Sequence, residues 1–90
     1  MGFQWNPDKS LENLTKHGVD FPEAEGVFED EMAITIEDPD AEGEQRFITI
    51  GMGFLARILV VVYTWRGDEI RLISARKANR KEKRDYATRI

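Results

Sequence analysis

The strongest constraint on how this chain folds lies between Arg57 and Ala75. Ile58-Leu59-Val60-Val61-Val62-Tyr63 is continuously apolar, and a second strand-like stretch, Glu69 to Ala75, follows after Gly67-Asp68. A short unbroken apolar run suits a central strand covered on both faces. It is far below the ~20 residues that a membrane span needs. Gly-Asp between two such runs predicts a two-residue hairpin loop. Counting back from that loop pairs Arg66 with Glu69, Thr64 with Arg71, Val62 with Ile73 and Val60 with Ala75 on one surface. Trp65 with Ile70, Tyr63 with Leu72, Val61 with Ser74 and Leu59 with Arg76 share the other. The second surface is mostly apolar and is expected to meet helices. The first becomes charged at the hairpin end, where Arg66, Arg71 and Thr64 form a candidate anion site.

The rest of the chain is organised around that hairpin. Met32 to Ile36 and Arg46 to Ile50 read as two further strands, separated by the acidic loop 37–44 and followed by Gly51-Met52-Gly53. Upstream, Asn6-Pro7-Asp8 is a helix start with Asn as N-cap, Pro in the first turn and an acid at the positive end of the helix dipole. Gly18 after Lys16 and His17 is a left-handed stop. Leu11 and Leu14 define a narrow apolar stripe on this helix. Asp20-Phe21-Pro22-Glu23 is an Asp-x-x-Glu variant of the capping box, opening a second short helix. Phe21, Ala24, Val27 and Phe28 fall on its inner face, and Glu23, Glu25 and Glu29 are expected to face out. A basic helix, roughly Ala78 to Thr88, closes the chain. The expected fold is α+β in one domain, 1–90, with two N-terminal helices, a mainly antiparallel four-stranded sheet and the basic C-terminal helix.

Charge is segregated along the chain. Residues 1–45 hold thirteen acids and two bases, a net of −11, while residues 46–90 hold eleven bases and four acids, a net of +7. The overall −4 therefore hides a strongly basic half able to attract a polyanion. The alternative is that the halves neutralise one another across the fold. With no cysteine, disulfides, thiol nucleophiles and Cys-type zinc sites are excluded, and a lone histidine cannot build a His-rich metal site. Asp38-x-Asp40-x-Glu42-Gly43 begins like a calcium loop, but Pro39 intrudes and Thr49 stands where the closing Glu is required. No metal or cofactor is expected. No basic stretch followed by an apolar run opens the chain, so a soluble, cytoplasmic domain without a membrane span is expected.

Two sets of residues carry candidate chemistry. Arg76, Lys77, Arg80, Lys81, Lys83 and Arg84 fall within nine positions, an array suited to phosphates, Arg in particular offering a two-pronged donor. A solvated helix end favouring bases explains the same run. Tyr86 on that helix either stacks on a base or packs. His17, the only histidine, belongs to the residue type suited to proton transfer near neutrality. At a helix C-terminus it serves equally as a cap. Ser10 and Ser74 are the only serines, which leaves no plausible serine triad. If the domain is an enzyme, metal-free phosphodiester chemistry fits this inventory best. In it the RNA 2′-hydroxyl attacks, and the protein supplies orientation, proton transfer and cations.

Several stretches together resemble the BrnT family. At the N-terminal side they are Phe3-x-Trp5-x-Pro7-x-Lys9, then Asn13-x-x-Lys16-His17-Gly18-Val19-x-Phe21-x-Glu23-Ala24, Val27-Phe28-x-Asp30, Glu44-x-Arg46 and Ile50-Gly51. Further on they are Val62-Tyr63-Thr64-x-Arg66-Gly67-Asp68 and Ile70-Arg71-x-Ile73-Ser74-Ala75-Arg76-Lys77-Ala78, ending with Glu82 and Tyr86. The resemblance implies a RelE-like ribonuclease toxin of a type II toxin–antitoxin system, acting on RNA without a metal. It also implies a BrnA-like antitoxin with a ribbon-helix-helix domain, so that DNA is reached only through that partner. The resemblance supplies no agreed catalytic set, so the expected catalytic residues, Arg71, Arg76 and His17, rest mainly on the hairpin argument. Arg66, Lys77, Arg80, Lys81, Arg84 and Tyr86 are the expected RNA-binding ones. The other reading is a non-catalytic module that binds a ribbon-helix-helix repressor.

Overall fold

The computed structural model describes residues 2–88, so Met1, Arg89 and Ile90 at the ends of the expected domain lie outside the described residues. Gly67 adopts the left-handed φ of 63° that the tight turn requires, and the hairpin forms around it. Its two strands, β4 (Ile58–Arg66) and β5 (Glu69–Lys77), occupy the middle of a five-stranded sheet. β3 (Phe47–Met52) pairs with β4, and β2 (Ile34–Glu37) pairs with β3, all antiparallel. The fifth strand, β1 (Gly2–Gln4), lies parallel to the first residues of β5, giving the order β1-β5-β4-β3-β2. Four strands were expected from the sequence, and the sheet is mixed because of this addition. Three residues are too few to show a two-residue alternation, so β1 leaves no periodic signal.

The expected register holds for the four pairs nearest the turn and then slips by one. Arg66 to Tyr63 pair with Glu69 to Leu72, but Val62 faces Ser74 and Val61 faces Ala75, with a bulge that leaves Ile73 over. Without the bulge, Ser74 and Arg76 would point into the core. The extra residue turns Ala75 inward, where it is 1% exposed, and puts Arg76 beside Val60 on the outer face with Arg71. The expected placement of Arg76 on the inner surface is thereby corrected.

The inner face is covered by the N-terminal elements. α1 (Pro7–His17) is capped by the Asn6 side chain, which accepts the Asp8 amide at 2.8 Å, and it stops at Gly18, φ 71°. Its apolar stripe does not face the sheet: Leu11 is 63% and Leu14 43% exposed. Ser10 and Asn13 are buried instead. The Phe21 amide donates to Ser10 Oγ at 3.0 Å. Asn13 Nδ2 donates to the carbonyls of Val19 and Ala75, and its Oδ1 accepts the Ala75 amide. α1 is thus held to the edge of β5 by hydrogen bonds rather than by leucines.

The second helix is one α turn, α2 (Phe21–Ala24), that tightens into a 3₁₀ stretch, Glu25–Glu29. Phe21, Ala24 and Val27 enter the core with Leu59, Val61, Tyr63, Ile70 and Leu72, as their spacing predicts. Glu23 does not face out. It is buried and takes two hydrogen bonds from Arg57, which also reaches the Gly18 carbonyl at 2.8 Å. At Gly26 any side chain would collide with the backbone, because a Cβ would stand 2.4 Å from the Phe54 nitrogen. The C-terminal helix, α3 (Arg80–Thr88), has no buried residue and attaches through polar contacts.

Candidate nucleic-acid interface

The charged end of the outer face is built as a row across the sheet. Thr64 on β4 pairs with Arg71 on β5, and Arg71 pairs with Gln4 on β1. Gln4 Oε1 accepts from Arg71 Nη1 at 3.3 Å, while its Nε2 donates to Glu69 at 2.8 Å. Thr64 is buried, and its hydroxyl donates to the Gln45 carbonyl at 2.6 Å, which fastens the segment before β3 against the hairpin. The next residue, Arg46, is thereby brought to the same end of the sheet. Lys9, Arg46, Arg66 and Arg71 then line one hollow of about 190 Å³, with Glu44 on its rim. Glu44 pairs with Arg66 at 3.3 Å, and both side chains are largely exposed. Among the described residues Lys9, Arg46 and Arg71 have no salt-bridge partner, and the buried Nε of Arg46 has no hydrogen-bond partner.

A second hollow, also about 190 Å³, adjoins the first through Lys9 and Ile73. It lies between α1 and β5 and is lined by Glu12, Lys16, His17 and Ser74. Helical spacing explains it: Lys9, Glu12 and Lys16 recur every three or four residues and follow the side of α1 that Asn13 fixes to β5. Together the hollows hold five Lys or Arg side chains against two carboxylates. Such a groove favours a phosphate electrostatically, and a histidine and a carboxylate beside it are groups able to move protons.

The expected site residues separate into three places. Arg66, Arg71 and His17 line the adjoining hollows. Arg76 lies elsewhere, donating to both carboxylate oxygens of Glu82 at 2.7 Å. The hydrogen bonds from Arg76 hold the Glu82 carboxyl below the usual carboxylate range, and the same contact raises the Arg76 guanidinium further. Lys77 shares a hollow of about 360 Å³ with Arg57, Ile58 and Lys83. On α3, Lys81 pairs with Asp85 at 3.0 Å, and Arg80 and Arg84 are exposed. The Tyr86 hydroxyl donates to Asp30 at 2.7 Å, a packing contact.

Lys9, Glu12, Lys16 and Arg46 join the interface without having been given a role there, although Lys9, Lys16 and Arg46 stand in the stretches that carry the family resemblance. The spacing on α1 was a usable signal for the first three, once its buried face is known to be polar. For Arg46 only the Glu44-x-Arg46 stretch of the resemblance was a signal, because its position depends on a contact between distant segments. Among the described residues no group of three His, Cys, Asp or Glu side chains is placed to hold a metal ion, and no helix is long and apolar enough to cross a membrane.

A family model described as ribonuclease toxin, BrnT, of type II toxin-antitoxin system matches residues 5–82. Among solved structures, the chain is similar to the Brucella abortus ribonuclease toxin BrnT, at 28% identity and a TM-score of 0.66, over 89% of this chain and 99% of that one. No curated protein matches it. The matched segment runs from just before α1 into the first turn of α3, and so contains both hollows and the Arg76–Glu82 pair. On this match over most of its length, the chain belongs to the BrnT family of ribonuclease toxins of type II toxin–antitoxin systems.

Proposed function

We propose that this chain acts as a single RelE-like toxin domain that cleaves RNA in the groove between α1 and β5, without a metal or cofactor. A BrnA-like antitoxin neutralises it in the cytoplasm, and DNA is met only through that partner. The observation that carries the reading is the hollow of Lys9, Arg46, Arg66 and Arg71, with a buried Arg46 Nε that has no hydrogen-bond partner among the described residues. An unanswered buried donor is costly, and a phosphate oxygen would satisfy it.

In the reaction the 2′-hydroxyl of RNA attacks the adjacent phosphorus, the 5′-oxygen of the next nucleotide leaves, and a cyclic phosphate remains. Arg71 and Arg46, with Arg66 and Lys9, hold the phosphate and offset the charge that grows on its oxygens. His17, with Glu12 in the same hollow, is the group proposed to take or return the proton. Arg76 is committed to Glu82, so its proposed part is to position α3 rather than to touch the phosphate.

Loss of one oriented cation at the transition state is commonly worth ~3 kcal/mol, about a hundredfold in rate. Arg71→Ala is therefore expected to cut RNA at least about a hundredfold more slowly while melting like the parent. Cleavage by the parent is expected to continue in excess EDTA and to leave 2′,3′-cyclic phosphate ends. Activity that disappears with EDTA and returns with magnesium would move the chemistry to the carboxylates. The second reading, an interaction module without catalysis, draws on the exposed Phe54 and Leu55 between β3 and β4. A folded parent that leaves RNA intact yet binds the antitoxin would favour it.

A further inference from the structure

The interface is longer than one phosphate needs. At the hairpin end, the first hollow shares Glu44 with another hollow lined by Trp65, which is 46% exposed and leaves β4 on the face opposite Arg71. In the other direction it continues through Lys9 and Ile73 to Lys16 and His17. α1 then ends at Gly18, where a Cβ would lie 3.8 Å from Lys77 Nζ. Lys77 in turn lines the hollow of Lys83. Cations thus run from Arg71 on the outer face past the end of α1 to Lys77, which pairs with Leu59 and leaves β5 on the opposite face. From Arg71 to Lys77 a strand advances roughly 20 Å at about 3.3 Å per residue.

One scissile phosphate does not require cations at both ends of a strand. A spaced series of cations with an exposed aromatic at one end is the pattern that tracks a single-stranded nucleic acid, whose free bases stack on aromatic faces. A base in a duplex is not free to stack on Trp65. Arg57 is already committed to Glu23 and the Gly18 carbonyl, whereas Lys77 and Lys83 have no salt-bridge partner among the described residues.

We propose that this series is an extended track for unpaired RNA that passes round the hairpin end and the end of α1, in which Trp65 stacks a base across Glu44 from the Arg46–Arg66–Arg71 hollow and Lys77 with Lys83 holds a distal phosphate. The identity of the polyanion rests on the ribonuclease reading above. The substrate class assigned is a single strand of at least about four nucleotides, the lower end of site sizes for such grooves.

The test uses fluorescence anisotropy with unstructured 2′-O-methyl RNA, which lacks the attacking hydroxyl, so binding is read apart from cleavage. Affinity is expected to rise at least about tenfold between two and eight nucleotides, and a blunt duplex of the longer strand to bind at least about tenfold more weakly. Lys77→Ala/Lys83→Ala is expected to flatten that rise and to reduce the salt slope by roughly 0.7, the amount for the one distal phosphate released. Lys83→Glu alone, at an exposed helical position, should weaken binding of the longer strand in the same direction, and Trp65→Ala should weaken it about five- to a hundredfold.

Affinity independent of length, an unchanged salt slope in the double variant, or equal binding of the duplex overturns the track. So does poly-glutamate competing as well as RNA, which would make the surface one for an acidic protein segment. Cleavage of ordinary RNA by a chain whose binding ignores length overturns the track and leaves the ribonuclease reading standing. Length-dependent binding with no cleavage does the reverse.

Discussion

Asn13 does for β5 what a neighbouring strand would otherwise do. β1 covers only Glu69 to Arg71, and beyond it the edge of β5 would present unpaired backbone groups. The Asn13 amide answers both groups of Ala75 at 2.7 and 3.1 Å and reaches the Val19 carbonyl as well. Truncating it strands three buried groups, each worth ~1–3 kcal/mol when left unpaired. Because relaxation and water recover part of this, Asn13→Ala is expected to cost about 2–4 kcal/mol in chemical denaturation. A cost below about 0.5 kcal/mol, the range of ordinary surface changes, would mean that α1 is held by something else. Leu11→Ala, on the exposed side of the same helix, is the informative companion and should fall within that range.

At the scale of elements, α3 is anchored at its start by the Glu82 carboxylate and near its end by Tyr86 on Asp30. Glu82 Oε1 accepts the Asn79 amide, Asn79 Oδ1 accepts the Glu82 amide, and Arg76 donates to both oxygens of Glu82. This is a reciprocal cap joined to a forked ion pair. Those contacts lower the Glu82 pKa from its ordinary 4.5. A depressed carboxylate stabilises the folded state above its unfolded pKa, and the contribution is lost as pH falls through the folded value. The protection of the α3 amides, taken relative to the intrinsic exchange rate at each pH, is therefore expected to fall below about pH 4.5 while the β4 and β5 amides stay protected. In Glu82→Gln the acid dependence of the first turn of α3 should be much reduced. Equal protection of α3 from neutrality down to acid pH would show that its attachment does not depend on this group.

Elements of this kind, with their stop and start signals inside a few residues, were legible in the sequence. Asn6-Pro7, Gly18, Asp20 and Gly67-Asp68 each marked a boundary correctly, because caps and tight turns depend on local chemistry. What escaped depended on distant partners. β1 is a strand only because β5 lies beside it. The bulge at Ile73 appears only when the alternation of β5 is compared with what α1 leaves to cover. Leu11 and Leu14 looked like a core stripe because periodicity cannot show that Ser10 and Asn13 have buried hydrogen-bond partners. Arg71 and Arg66 were found through the hairpin count, whereas Arg46 enters through the Thr64–Gln45 contact, which no spacing encodes.

Taken whole, the molecule keeps its two charged halves largely apart. Among the described residues only Arg57–Glu23 and Arg66–Glu44 join an acid of the first half to a base of the second, while Arg76–Glu82 and Lys81–Asp85 lie within the second. Of the two that cross, only Glu23 is buried, and exposed pairs contribute little to stability and are screened by salt. Folding therefore rests on the apolar cluster and the Asn13 and Arg57 contacts, and the basic half is left available to a polyanion. Salt should then separate the two properties. Going from about 0.05 to 0.5 M salt is expected to leave the melting temperature within a few degrees, because weak surface pairs are all that is screened. Over the same range RNA affinity should fall about a hundredfold if roughly three phosphates are held, since the logarithmic slope is about −0.7 per phosphate on a single strand. A melting temperature that drops in step with affinity would mean that attraction between the halves holds the fold, and the loss of binding would then report unfolding rather than a released polyanion.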